Sequence, residues 1–277
     1  MNNLHRELAP ISDAAWGQIE EEASRTLKRY LAARRVVDVA DPQGAALAAV
    51  GTGHLKTINA PDSGIQASQH QAQALVELRV PFELSRQTLD EVERGSDDPD
   101  LQPLKDAARK IAYAEDRAVF DGYAAAGIQG IRPGVEGTAV ALPADIKRYP
   151  AAVAQALSQL RLAGVNGPYI LVLGEKAFAA VSGATDEGYP LIKHIRPLLD
   201  GDVVWAPGIE GGVLLSIRGG DFSLHLGQDV SIGYLSHTDS AVHLYLQESF
   251  TFRLLSPEAA VALTPQNSPD KSGATDS

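Results

Sequence analysis

Hydrophobic positions near the start of the chain fall at helical spacing. Trp16, Ile19, Ala23, Leu27 and Leu31 recur at intervals of three and four, while Glu20, Glu21, Glu22, Arg25, Lys28 and Arg29 fill the rest of the wheel. Ser12 is a candidate N-cap, and Asp13 places negative charge at the positive end of the helix dipole. The pattern predicts an amphipathic helix of about five turns. Arg34–Val39 then reads as a short strand. From Ala40 to Gln73 the period disappears into Gly, Ala, Gln and Ser, and roughly thirty residues without a core-forming pattern mark a functional extension or a disordered loop. Val76, Leu78, Val80, Phe82 and Leu84 alternate with Glu77, Arg79 and Glu83, a strand with one buried face. Together these stretches predict a long β-hairpin arm projecting from the body.

Further along, Leu104, Ala108, Ile111, Glu115, Ala118 and Gly122 share one stripe and predict a helix over Pro103–Tyr123. A second helix is predicted over Tyr149–Ala163, with Pro150 in its first turn and Gly164 just past its end. Tyr169–Leu173 reads as a buried strand, followed by a short helix from Glu175, a Gly183–Gly188 loop and another helix from Pro190. Val203–Leu254 is almost all strand, punctuated at Pro207-Gly208, Gly211-Gly212 and Gly219-Gly220-Asp221. Thr264–Ser277 is a polar tail without an apolar anchor, for which disorder is expected. Helices and antiparallel strands occur in blocks, so the fold class is α+β.

Composition narrows the function. The 277 residues are 44% hydrophobic and 21% charged, in the range of globular proteins. The longest apolar runs stop near six residues, far short of the ~20 that span a bilayer. The first ten residues lack the apolar stretch of a signal peptide, so a cytoplasmic location is expected. Zero cysteines exclude disulfides and thiolate chemistry. A net charge of −11 argues against nucleic acid and anionic membrane as partners.

No catalytic or metal site emerges. There is no Gly-rich loop ending in Gly-Lys-Ser/Thr, no Gly-x-Ser-x-Gly elbow and no His-Glu-x-x-His. The seven histidines are scattered, and the acidic pairs Asp97-Asp98 and Asp186-Glu187 read as solvated loop charge.

What the residues do carry is a resemblance. Asn3-Leu-His-Arg-Glu-Leu-Ala-Pro10, then Ala15-Trp16, opens the chain. Arg34-Arg-Val-Val-Asp38, Glu93-Arg-Gly95, Gly167-Pro-Tyr-Ile-Leu171 and Gly188-Tyr-Pro-Leu191 follow. Arg218-Gly-Gly-Asp-Phe222, Gly227-Gln-Asp-Val-Ser-Ile-Gly-Tyr234 and Glu248-Ser-Phe-Thr-Phe252 complete the series. In this order and over Leu4–Leu263 the chain resembles the encapsulin nanocompartment shell proteins, also known as the linocin-type bacteriocin or 29-kDa culture-filtrate antigen family.

The resemblance implies the major-capsid fold of tailed bacteriophages (phage HK-97 type), with a peripheral domain, an axial domain and an extended loop. It divides the chain into an N-terminal helix and the start of the peripheral domain (1–45), the extended loop (46–79), the peripheral domain with its spine helix (80–134), the axial domain (135–218), the C-terminal strands of the peripheral domain (219–263) and a tail (264–277). About sixty copies would close an icosahedral shell around a cargo enzyme, a dye-decolourising peroxidase or a ferritin-like iron oxidase, with roles in oxidative-stress defence or iron storage. The cargo's C-terminal targeting peptide would bind Leu27, Leu31, Arg34, Val36, Asp38, Val230, Ile232 and Tyr234. Asp186, Glu187, Gly188 and Tyr189 would rim a five-fold pore. Gln87 stands where some members carry an aromatic that stacks on flavin, so no flavin is expected, and no metal or other cofactor either. The activity would reside in the cargo. The older family name suggests the alternative of a secreted bacteriocin or protease, and a true phage capsid protein is a third reading.

Overall fold

The computed structural model of the chain describes residues 3–266. Helix α1 (Asp13–Tyr30) begins where Ser12 Oγ accepts the Ala15 N–H at 3.2 Å. Strand β1 (Asp38–Val39) follows, then β2 (Ala49–Ile58), β3 (Ala67–Ala74) and β4 (Val76–Ser85). Next come α2 (Arg86–Glu93), α3 (Gln102–Phe120), α4 (Ile131–Gly134), β5 (Val140–Leu142) and α5 (Tyr149–Leu162). The middle of the chain continues with β6 (Tyr169–Leu173), α6 (Glu175–Gly183), β7 (Thr185–Asp186), β8 (Tyr189–Pro190) and α7 (Ile192–Leu199). Strands β9 (Val203–Trp205), β10 (Gly212–Ser216), β11 (Phe222–Leu226), β12 (Ser231–His237), β13 (Ala241–Leu254) and β14 (Ala260–Pro265) complete it.

The first large sheet is built on β13. Strand β4 pairs along one edge from Ala241↔Ser85 to Phe250↔Val76. Phe250 and Gln247 also pair with Leu226 and Ser231, so β11 and β12 run end to end along the other edge. Alternation puts Phe82, Leu84, Ile232, Val242, Leu244 and Leu246 on one face, where they pack on Ile19 and Ala23 of α1 and Leu104, Ala108 and Ile111 of α3. The second sheet has the order β5-β14-β10-β6-β9. Every residue of β6 and β10 is buried, and α5 covers the sheet with Val153, Ala156, Leu157 and Leu160.

Several expectations need correction. Only Asp38 and Val39 of the Arg34–Val39 segment are strand; Ala33–Arg35 form a 3₁₀ turn. The buried Asp116 carboxylate accepts the Ala32 and Ala33 N–H groups at 3.2 and 2.8 Å, and this long-range cap outweighs the β propensity of the valines. The arm is the β2–β3 hairpin alone, because β4 is committed to the body sheet. Helix α2 was not anticipated from the sequence; Ser85 caps it through the Thr88 N–H at 3.0 Å. Pro190 lies in β8 and α7 starts at Ile192, while Gly183–Gly188 comprises the end of α6, β7 and the turn into β8. Thr264 and Pro265 extend β14 alongside β5; the rest of the expected tail, from residue 267, lies outside the described residues.

Candidate functional site

A groove of about 590 Å³ runs between α1, the start of β12 and the amino-terminal segment. One wall is Ala23, Leu27 and Leu31 of α1, and the floor is Val230, Ile232 and Leu246. The polar rim comprises Arg6, Glu20, Lys28, Arg34, Arg35 and Asp229. The far side of the groove exists because of a local irregularity. The chain takes five residues from Leu226 to Ser231 where β13 takes three from Phe250 to Gln247. This bulge turns Asp229 and Val230 toward α1. Gly227 permits it, since a Cβ there would sit 2.5 Å from Ser249 Oγ.

Arg34 pins the bulge to the body. Its Nε and Nη2 donate to the two Glu115 carboxylate oxygens at 2.9 and 2.6 Å, its Nη1 to Asp229 Oδ1 at 2.6 Å and its Nη2 also to Glu248 Oε2 at 3.3 Å. Glu115 and Glu248 are fully buried, and Asp116 lies alongside. One guanidinium thus faces several carboxyls in a site of low dielectric. Burial pushes Asp116 up to about 8, against the Ala32 and Ala33 N–H groups that favour its charged form. Burial raises Glu248 well above the usual carboxylate range, and the neighbouring Glu115 pushes the same way while Arg34 opposes. Arg34 itself is held protonated, its ion pairs and hydrogen bonds outweighing burial.

The groove brings together Leu27, Leu31, Arg34, Val230 and Ile232 of the residues singled out in the sequence. Val36 is buried in the core, because the 3₁₀ turn carries the chain inward after Leu31. Asp38 sits in a separate crevice of about 200 Å³, where its Oδ2 accepts the Gly220 N–H at 2.6 Å and fixes the Arg218–Phe222 turn. Tyr234 points its hydroxyl at His237 Nδ1, beyond the groove. Glu115 and Glu248 escaped sequence reasoning, although Glu115 on the apolar stripe of α3 was a signal. A charge there demands a buried partner.

The second candidate site, Asp186–Tyr189, is the turn joining β7 to β8. Glu187 and Gly188 both have positive φ, 49° and 82°, so the turn is tight. Asp186 pairs with Lys147 at 3.1 Å, and the exposed Tyr189 ring meets His194 edge-on at 5.0 Å. Gln87 is exposed on α2, its amide donating to Glu91 at 2.9 Å. Among the described residues, no cluster of acidic and histidine side chains could hold a metal ion, and no helix is long and apolar enough to cross a membrane.

A family model described as an encapsulating protein for peroxidase matches residues 1–251. The chain belongs to that family, the encapsulins. The type 1 encapsulin shell protein of Rhodococcus erythropolis is 57% identical over 263 residues, covering 95% of this chain and 100% of the relative. That of Mycobacterium tuberculosis is 53% identical over 264 residues, with the same coverage of both. Among solved structures, a virus-like particle from Pyrococcus furiosus matches this encapsulin with a TM-score of 0.62 at 15% identity, over 89% of this chain and 98% of that one. A structure of Gordonia phage Cozz matches with a TM-score of 0.54 at 13% identity, over 86% and 87%. At such identities the likeness is one of fold, and it is the capsid fold of tailed phages that the sequence led us to expect.

Proposed function

We propose that this encapsulin shell subunit closes with copies of itself, about sixty in the simplest icosahedral arrangement, around a cargo enzyme held by a C-terminal targeting peptide. The groove carries the reading. It offers an apolar floor, a polar rim able to fix register, and the edge of β12, which is the last strand on its side of the sheet and can accept an extended peptide. Five of the eight peptide-binding residues expected from the family resemblance line it. Each peptide can bind weakly, because many identical sites facing one multimeric cargo raise avidity.

The chain's role is structural and the chemistry belongs to the cargo, for which a dye-decolourising peroxidase or a ferritin-like iron oxidase is proposed; the family description points to the peroxidase. The compartment then serves oxidative-stress defence or iron storage in the cytoplasm. The arm supports closure: among the described residues its two strands pair only with each other, leaving Leu55, Ile58 and Ile65 exposed for a neighbouring copy. The Asp186–Tyr189 turn is proposed to rim a five-fold opening. Lys147 offsets the charge of Asp186 there, so Glu187 supplies most of the negative ring.

The test is Ile232→Asp, which puts a charge on the groove floor. Shells of normal size that purify empty are expected. Cargo co-purifying at the normal ratio would overturn the assignment.

A further inference from the structure

The amino-terminal segment has a place in the groove that shell closure does not explain. Leu4 is 8% exposed and lines one end of the groove beside Ile232. Its carbonyl accepts the Tyr234 N–H at 2.8 Å on the outer edge of β12, the position an added strand would use. The Asn3 carbonyl accepts the Tyr245 hydroxyl at 3.2 Å, and the Asn3 amide donates to Gln228 at 3.2 Å. Arg6 lies 4.1 Å over the Trp16 ring and pairs with Glu20 on α1.

The Arg6–Glu20 pair and the Asn3–Gln228 hydrogen bond lie at the surface, where ion pairs and cation–π contacts are weak. Between Leu4 and Arg6 the backbone of His5 adopts a left-handed conformation, φ 51° and ψ 28°, which a residue with a side chain adopts only at a cost. Leu8, just beyond, is 55% exposed. The segment covers the groove without being built into either sheet.

We propose that Asn3–Leu8 is a displaceable strap, a resident pseudo-ligand that must leave the edge of β12 before an extended peptide can occupy the whole groove. This rests on the groove being the peptide site. The strap binds in place because its tether keeps it at roughly millimolar effective concentration. It disfavours weakly matching peptides and protects the apolar floor of an unloaded shell.

The experiment co-expresses the shell with a green fluorescent protein ending in this chain's own Asn3–Pro10 sequence. Particles lacking residues 2–8 are compared with full-length particles for fluorescent protein carried per shell. The shortened shell should carry about tenfold more, and Leu4→Asp in the reporter's tag should return loading to that of untagged reporter. Should the shortened chain fail to assemble, full-length shells carrying Leu4→Ser take its place with the same expectation. Equal loading of both shells, or loading indifferent to Leu4→Asp in the tag, would overturn the strap. If Ile232→Asp still empties shells of native cargo in that case, the groove assignment stands and only the strap falls.

Discussion

Arg34 and Glu115 lie 81 residues apart, yet they meet at the groove in a two-pronged, buried ion pair. Removing the guanidinium leaves Glu115 buried and unpaired and frees Asp229 from the body. Arg34→Ala is therefore expected to destabilise the subunit by about 3–5 kcal/mol, read as a lower thermal unfolding midpoint; a loss of cargo at unchanged stability would contradict this structural role. The carboxyls around it set a pH dependence. With Asp116 raised to about 8 and Glu248 raised by burial, the folded chain holds protons that the unfolded chain has released. Their contribution is complete below the unfolded carboxylate value of about 4 and is lost as pH rises through the folded values. Unfolding midpoints should fall between about pH 4 and pH 8, and Glu248→Gln should flatten that fall. A wild-type midpoint constant over this window would refute the cluster's role. None of these partners could be paired from sequence, since they come from the α1–β1 connection, α3, the bulge and β13. Only the misplaced charge of Glu115 on an apolar stripe announced that something buried would meet it.

Among the elements, those with long internal periodicity were legible. The stripe of α1, the stripe of α3, the proline-to-glycine frame of α5 and the apolar run of β6 each carry their own pattern and fold where it says. Elements shaped by distant contacts were not. The Arg34–Val39 valines look like strand until Asp116 draws two backbone amides into a turn. Helix α2 has only eight residues and rests on one serine cap. The arm was recognisable by its lack of pattern, for a hairpin with no core of its own has no reason to alternate. Its base is fixed by Gln73 Nε2 donating to the Phe252 carbonyl at 2.9 Å, and by Arg253 donating to the Gly51 and Thr52 carbonyls at 3.4 Å. Beyond that base it touches little of its own chain. Replacing residues 53–70 with a short turn is expected to leave the unfolding midpoint within about 2 °C of wild type while abolishing particles in size-exclusion chromatography. Intact particles from the arm-less chain would show that the arm has no part in closure.

For the whole molecule, the family motifs acquire physical reasons. Gly227 admits the bulge, Arg218-Gly-Gly-Asp-Phe222 forms the turn that holds Asp38, and Glu248-Ser-Phe-Thr-Phe252 supplies a buried carboxyl, the Ser249 partner of the bulge and two fully buried phenylalanines. What these residues build is a scaffold with a groove and an arm whose two strands pair with each other, which suits repeated assembly. Closed symmetry then lets modest contacts, multiplied over many copies, hold a particle together. The most direct test is the size of the purified native particle, by light scattering and negative-stain microscopy. Closed spheres of roughly a few tens of nanometres are expected from an icosahedral shell. A monomer or small oligomer across a range of salt and pH would contradict the shell, and with it the groove's role as a cargo site.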